Sequence, residues 1–477
     1  MAALTRRGHA VRPFKVGPDY IDPLFHQAAT GRTSRNLDSW LLPEQTLVRL
    51  FCRELSEQGE RAERRNTPAP ASVAVIEGVM GLFDGQGEGP HGSTAHVASL
   101  LKSPVVLLIN GEGLSLSAAA LVSGYANFRP HPSLNDLHVA AVLLNRLSGP
   151  AHYTLLRRCI EQNTGIPCLG WLPKNAAPPL PRRHLGLVPA NELRDLAGYL
   201  DTLAEAAEKT LDISGLLELA RTAPPLRASD QATQRRTAKP PAILPPVRKP
   251  APVRIGLARD EAFSFYYQDN LDLLQRLGAF LVPFSPLRDK RLPPRLDGLY
   301  LGGGFPEVFA AGLERNAVLR AETANALRAG LPTYAECGGM LYLCSSLRPL
   351  YKDESAGQQR FAMVDFFPEQ AEMTSRLQPF GYVAVTLNRN SLIGPAGFSF
   401  RAHEFHYARL LPPDAPERPS SPALTVTKAD GRAWSGGLCR KNVLALFPHL
   451  HFHACPQAAE LFLATCRRYS LSRKGGV

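Results

Sequence analysis

The sequence predicts two α/β domains, each a doubly wound parallel sheet with helices between its strands. Three observations predict this class. Short continuous apolar runs recur along the chain, as strands buried on both faces read. Helical stretches separate those runs, the alternation of doubly wound folds. Between the two sets lies RTAPPLRASDQATQRRTAKPPAILPPVRKPAP (221–252), with eight prolines and no apolar periodicity, which reads as an extended linker. It leaves domains at 1–220 and 253–477.

The elements follow in order. Leu4, Arg6, Arg7 and Gly8 read as the end of an amphipathic helix closed by glycine, and His9–Lys15 as a strand. A doubly wound domain does not usually open partway through its first helix. SVAVIE (72–77), PVVLLIN (104–110) and HVAAVLLN (138–145) are strands, with helices at 94–102 and 114–124. After the linker, VRIGLA (253–258), AFLVPF (279–284), DGLYLGG (297–303) and PTYAEC (332–337) repeat the style. The last third is richer in β pattern, and a helix from about 456 to 470 closes the chain.

The 477 residues are 44% hydrophobic, enough for full-sized cores. No run approaches the ~18 apolar residues of a membrane span, and the start carries no signal-peptide core, so a cytoplasmic protein is expected. None of the eight cysteines forms a C-x-x-C pair, and no spacing suits a zinc site; reduced thiols are expected. The net charge of +12 suits anionic small molecules such as nucleotides and polycarboxylates. The arginines are scattered and aromatics make up only 8%, which argues against a nucleic-acid surface.

The clearest chemical signal is LPTYAECGGMLYL. It puts Cys337 at a strand-to-helix turn with Gly338 and Gly339 behind it. Such a turn lifts a nucleophile off the sheet, and the helix N-terminus favours its thiolate. LYLGGGFPE (299–307) offers a second glycine turn, so the amides of Gly303, Gly304 and Gly338 are candidates for an oxyanion hole. The base must come from histidine clusters, LALFPHLHFHA with His449, His451 and His453, or RAHEFHYA with His403 and His406.

YLGGGFPE, YAECGGMLYL, HEFHY and HLHF, in that order, resemble a class I glutamine amidotransferase domain of the cobyrinic-acid-synthase type. The resemblance implies Cys337 as glutaminase nucleophile and His449 as its base. The wider class carries Glu two residues after the histidine; here that position is His451, so the orienting acid is unidentified. Ala335 also stands where many of the class have Gly.

Released ammonia implies an acceptor domain. PFKVGPDYIDP (13–23) gathers Lys15, Asp19, Tyr20 and Asp22 in a loop after a strand. IEGVMGLFDG (76–85) puts Glu77 at a strand's C-terminal end, where ligands bind in open α/β sheets and an acid can hold Mg²⁺. With GSTA (92–95), LLNR (143–146) and LPRRHLGLVPANE (180–192), these stretches resemble the synthetase half of cobyrinic acid a,c-diamide synthases. That half is a P-loop-NTPase-like fold related to dethiobiotin synthetase. The resemblance implies ATP and Mg²⁺ as cofactors and glutamine with cobyrinate or hydrogenobyrinate as substrates. Two acetate carboxylates would be activated as acyl phosphates and amidated by ammonia. It makes Glu77 and Asp19 metal- or phosphate-side residues, Lys15 a phosphate contact, Asn145 an adenine contact, and Tyr20 and Asp22 substrate-loop residues. A homodimer stays open. So does a nickel-sirohydrochlorin substrate in the same family; a single HG pair, usual in cobyric acid synthases, is replaced here by HLHF.

Such synthetases begin with a strand and a Walker-A-like loop. This chain contains no G-x-x-x-x-G-K-[ST]. By element lengths the expected strand, loop and most of a helix amount to roughly twenty to twenty-five residues. A start codon assigned too far downstream is the preferred expectation, because every later stretch reads as intact; a truncated copy, serving as a scaffold or an uncoupled glutaminase, is the other.

Overall fold

A computed structural model describes residues 1–64, 72–183, 186–226, 252–350, 359–413 and 421–474. The chain divides into two compact units, Met1–Lys239 and Pro240–Val477. Most of the expected linker, 227–251, lies outside the described residues.

In the first unit α1 (Ala2–Arg6) turns at Gly8, whose φ of 80° suits glycine, into β1 (Ala10–Val16). Then come α2 (Asp22–Thr30), β2 (Arg35–Leu37), α3 (Glu44–Arg64), β3 (Ser72–Glu77), α4 (Thr94–Leu100), β4 (Val105–Asn110), α5 (Ser117–Asn127), β5 (Val139–Leu147), α6 (Pro150–Thr164) and β6 (Cys168–Pro173). A short pair, β7 (Arg182–Arg183) and β8 (Gly186–Leu187), precedes α7 (Leu196–Thr210) and α8 (Ile213–Arg221). The helix ends carry their own signals. Ser93 caps α4 by accepting the His96 amide, and α6 runs from Pro150 to a left-handed Gly165.

The α/β class holds, but the first unit does not carry one continuous sheet among its described residues. It has two parallel three-stranded sheets, β2-β1-β3 and β4-β5-β6. The expectation of strands buried on both sides fails for β3 and β4, which are edge strands. β1, paired on both sides, is buried along its whole length, whereas Val73–Ile76 are only half-buried and Leu108 is 60% exposed.

The second unit contains β9 (Val253–Ala258), α9 (Gln268–Arg276), β10 (Ala279–Phe284), β11 (Gly298–Leu301), α10 (Ala310–Arg315), α11 (Ala317–Arg328), β12 (Thr333–Glu336) and α12 (Gly338–Leu343). β13 (Ser346–Arg348), β14 (Phe361–Ala362), β15 (Gln370–Met373), β16 (Gly381–Leu387), β17 (Ser399–Glu404), β18 (Ala408–Leu411), β19 (Leu424–Thr427), β20 (Ala433–Gly436), β21 (Leu438–Arg440), β22 (Val443–Leu446) and α13 (Pro456–Lys474) complete it. The central sheet runs β10-β9-β11-β12-β22-β21, parallel except for β21. The β-rich last third supplies most of two four-stranded sheets, β14-β13-β15-β18 and the antiparallel β17-β16-β19-β20.

Alternation along the central strands divides the core in two. Leu299, Leu301, Ala335, Val443 and Ala445 pack on one face. Tyr300, Tyr334, Leu444 and Leu446 pack on the other. By the same alternation Glu336, two residues after Tyr334, faces the tyrosine side.

Candidate active site

β12 ends at Glu336 and α12 begins at Gly338, so Cys337 alone makes the turn. Its φ of 46° and ψ of −105° lie where a side-chain-bearing residue is strained, and its amide donates to Leu446 O at 2.7 Å. Glycine follows for a packing reason. A Cβ on Gly339 would sit 2.2 Å from the Leu301 carbonyl oxygen, and one on Gly338 2.9 Å from Pro306 Cδ. The side chain of Cys337 is 7% exposed.

The second glycine turn comes up beside it. Tyr266 fixes this turn, accepting the Gly302 amide at 2.8 Å while its hydroxyl donates to Ala258 O. The Gly303 carbonyl accepts the amides of Ser264 (3.1 Å) and Phe265 (3.0 Å). The Gly304 nitrogen lies 3.1 Å from where a Gly338 Cβ would project. A Cβ on Gly303 would come within 2.9 Å of His449 Cε1, so the three predicted glycines and the imidazole share one small space.

His449 is held through its backbone. It exchanges two hydrogen bonds with His403 (3.1 and 2.7 Å). The next residue, Leu450, is clamped on both sides: its amide donates to Glu336 Oε1 at 3.0 Å, and its carbonyl accepts from Asn270 Nδ2 at 2.7 Å. The imidazole interacts with Cys337, and its Nδ1 lies 3.8 Å from Glu336 Oε2, an ion-pair distance. Burial lowers the His449 pKa, but its interactions with Cys337 and Glu336 outweigh this and push it up to about 10.

Glu336 is the residue that the sequence did not single out. It is 2% exposed and accepts hydrogen bonds from Tyr300 Oη (3.0 Å) and Tyr334 Oη (2.7 Å) as well as from Leu450. Burial, and then the carboxylate itself, hold both phenols well above their ordinary pKa, so they remain donors. Its only sequence signal is its place one residue before the candidate nucleophile.

The other histidines separate from the candidate base. Burial, reinforced by His449, pulls His403 down to about 3; burial alone does the same to His451. His406 bonds Glu404 (2.9 Å) and the Ala408 carbonyl (2.7 Å) and stacks on Phe447. His453 meets Arg276 at 2.9 Å.

In the first unit, four predicted residues meet. Lys15, 4% exposed, lies 2.6 Å from Asp22, 3.3 Å from Glu77 and 3.9 Å from Asp19, and donates to Gly78 O at 2.9 Å. Asp19 Oδ1 accepts the Ile21 amide at 2.7 Å; burial and neighbouring Asp22 raise its pKa to about 6. Asn36 Nδ2 ties down the loop through Gly17 O (2.9 Å) and Asp19 O (2.7 Å). Tyr20 sits between Asp19 and Asp22 on that loop. His26, also missed by the sequence reading, bonds Glu77 through Nε2 and contacts Ser34 Oγ at 2.9 Å through Nδ1. Asn145 is apart from this group, on the other sheet; its Oδ1 accepts the Arg146 amide at 2.9 Å and its carbonyl the Gly111 amide at 2.9 Å.

Among the described residues no helix is long and apolar enough to cross a membrane. Residues 254–456 match the family model of the CobB/CobQ-like glutamine amidotransferase domain. The cobyrinate a,c-diamide synthase of Listeria innocua is 41% identical over 462 residues, covering 96% of this chain and 92% of that protein. That of Caldanaerobacter subterraneus is 37% identical over 98% of this chain and 94% of the relative, and that of Methanosarcina barkeri 37% identical over 99% and 93%. An amidotransferase elbow inside a chain alike to these proteins along nearly its whole length makes this a glutamine-dependent C–N ligase, and the chain belongs to the cobyrinate a,c-diamide synthase family.

Proposed function

We propose that the protein amidates the a and c acetate carboxylates of cobyrinate or hydrogenobyrinate in cobalamin biosynthesis, in the cytoplasm, with ammonia cut from glutamine and carboxylates activated by ATP. The observation that carries the reading is the strained Cys337 elbow, with His449 between its thiol and Glu336.

The chemistry follows from that arrangement. A histidine with a pKa of about 10 is protonated at neutral pH, which favours a thiolate–imidazolium pair. The thiolate attacks the glutamine side-chain carbonyl, and the C–S bond forms as the carbonyl oxygen takes the charge. The amides of Gly304 and Gly338, with that of Gly303 beside them, suit that oxyanion. His449 gives its proton to the leaving nitrogen, the C–N bond breaks and ammonia departs. Now neutral, His449 takes a proton from water, whose oxygen attacks the thioester; glutamate leaves and the thiol is restored. Glu336 is the positioning acid: it holds the imidazole's orientation and stabilises its charge.

In the synthetase unit, the donors around Lys15 fit a hard cation. Asp19, Asp22 and Glu77 offer carboxylate oxygens, the donors such a cation takes; burial, and then the neighbouring Asp22 carboxylate, raise the Asp19 pKa, and a shared cation would offset both. Glu77 and Asp19 would hold Mg²⁺, which when bound offsets the charge of the ATP phosphates. Lys15 keeps the three acids together and remains a proposed phosphate-side cation, Tyr20 and Asp22 proposed substrate-loop residues. Asn145, on the neighbouring sheet, is proposed to meet the adenine base.

The test is one assay of this chain with glutamine and cobyrinate, with and without MgATP, following glutamate release and corrin mass together. Diamide formation only with MgATP supports the reading. Glutamate release with no change in corrin mass would replace it with an uncoupled glutaminase.

A further inference from the structure

In the first unit, outside the group around Lys15, three side chains converge that the proposed chemistry does not use. Glu44 opens α3, His91 ends the loop before Gly92, and His96 is the third residue of α4. One ligand atom from each lies within 4.8 Å of the other two. His96 Nε2 is 3.6 Å from Glu44 Oε1, and the two imidazoles meet edge-on with centroids 4.6 Å apart.

The group is built rather than incidental. His96 is fully buried, and its Nδ1 lies 2.9 Å from Ser39 Oγ, which accepts the Gly92 amide at 2.9 Å. Since that amide occupies a hydroxyl lone pair, the ring can donate Nδ1–H to the serine and turn the bare Nε2 lone pair towards Glu44. That nitrogen is buried and makes no hydrogen bond. Its partners are a second imidazole and a carboxylate. The loop is fixed as well: the Gln86 amide bonds His91 O at 2.8 Å, and a Cβ on Gly85 would come within 2.5 Å of that oxygen.

We propose that Glu44, His91 and His96 bind a divalent transition-metal ion of the Zn²⁺/Co²⁺/Ni²⁺ class. Two imidazoles and one carboxylate are the donors such ions prefer and Mg²⁺ does not. An imidazole whose other nitrogen is anchored by a serine is how metal-binding histidines are oriented. Three protein ligands leave a position for water. The ion joins the starts of α3 and α4, and Thr94, on α4, accepts the Val79 amide at 2.9 Å just beyond Glu77; metal binding therefore stiffens the loop behind that acid.

The full chain, stripped with a chelator, is titrated with Co²⁺ and followed by visible absorption, with Zn²⁺ as competitor. One equivalent should give ligand-field bands without thiolate-to-metal charge transfer, and Zn²⁺ should erase them. His91 is exposed, so His91→Ala has no reason to unfold the protein, and it should weaken Co²⁺ binding at least about tenfold. Glu44→Gln should do the same, with circular dichroism unchanged for both. Equal Co²⁺ affinity and spectrum in wild type, His91→Ala and Glu44→Gln would overturn the site, as would bands dominated by thiolate charge transfer.

Discussion

Replacing Glu336 by Gln keeps the shape of the buried side chain and removes its charge. Two tyrosine hydroxyls and the Leu450 amide still find an acceptor in the amide oxygen or turn to one another, so the fold should survive. What is lost is the carboxylate 3.8 Å from His449 Nδ1. At an effective dielectric of about 20, charges at that separation interact by about 4 kcal/mol, or roughly 3 pKa units. Both groups are buried, so solvent screens little of this. The sign follows from the direction of the shift. The His449 pKa is raised to about 10, so its proton stabilises the fold fully below the unfolded value of ~6.5, and that contribution is lost as pH rises through about 10. In Glu336→Gln the alkaline limb of glutaminase kcat/KM should therefore fall by two or more units, and at neutral pH kcat should drop roughly 10²- to 10³-fold through loss of the imidazole's orientation. Glutamate release across pH measures both, and amidation with free ammonia should not change. An unmoved alkaline limb with kcat within a factor of about three of wild type would refute the reasoning.

Three further outcomes follow from the same geometry. Cys337→Ala should abolish glutamine use while amidation with ammonium chloride persists; loss of both would deny the division of labour between the two units. Glu77→Gln removes a carboxylate held by Lys15 and His26 and should stop amidation from either nitrogen source while glutamate release continues, read by corrin mass and glutamate in one reaction. Gly339→Ala drives a methyl towards Leu301 O, which lies 2.2 Å from its ideal position, and should cost about 1–3 kcal/mol, seen as a lower unfolding temperature with reduced glutaminase activity.

Much of the scaffold was legible because apolar strands advertise themselves locally. The runs 72–77, 253–258 and 279–284 are strands with those bounds, and the Cys337 turn is where Gly-Gly after a strand puts it. What the sequence concealed is pairing. SVAVIE reads like the centre of a sheet, yet Val73–Ile76 are half-buried, because composition reports a strand's preference and not whether both edges are occupied. β2 is only three residues long, too short for any period, and went unnoticed. His26 and Glu77 are 51 residues apart, and His96 and Glu44 are separated by a strand; only the fold brings either pair together. Glu336 hid differently. Adjacent residues on a strand point to opposite faces, so an acid beside a nucleophile looks useless until the left-handed turn at Cys337 and the return of the chain at His449 are both known.

That adjacency changes how many things must be kept in alignment. A nucleophile, a base and an acid drawn from three separate segments have three relative placements to maintain. Here the proposed acid and the proposed nucleophile are one dipeptide, and their separation is set by covalent geometry. Any slip or breathing of β12 carries them together, and a single hinge remains, the one joining that dipeptide to His449. Position 451 is thereby released from the service that an acid performs there in the wider class, and a neutral, buried imidazole can occupy it as packing against Tyr267.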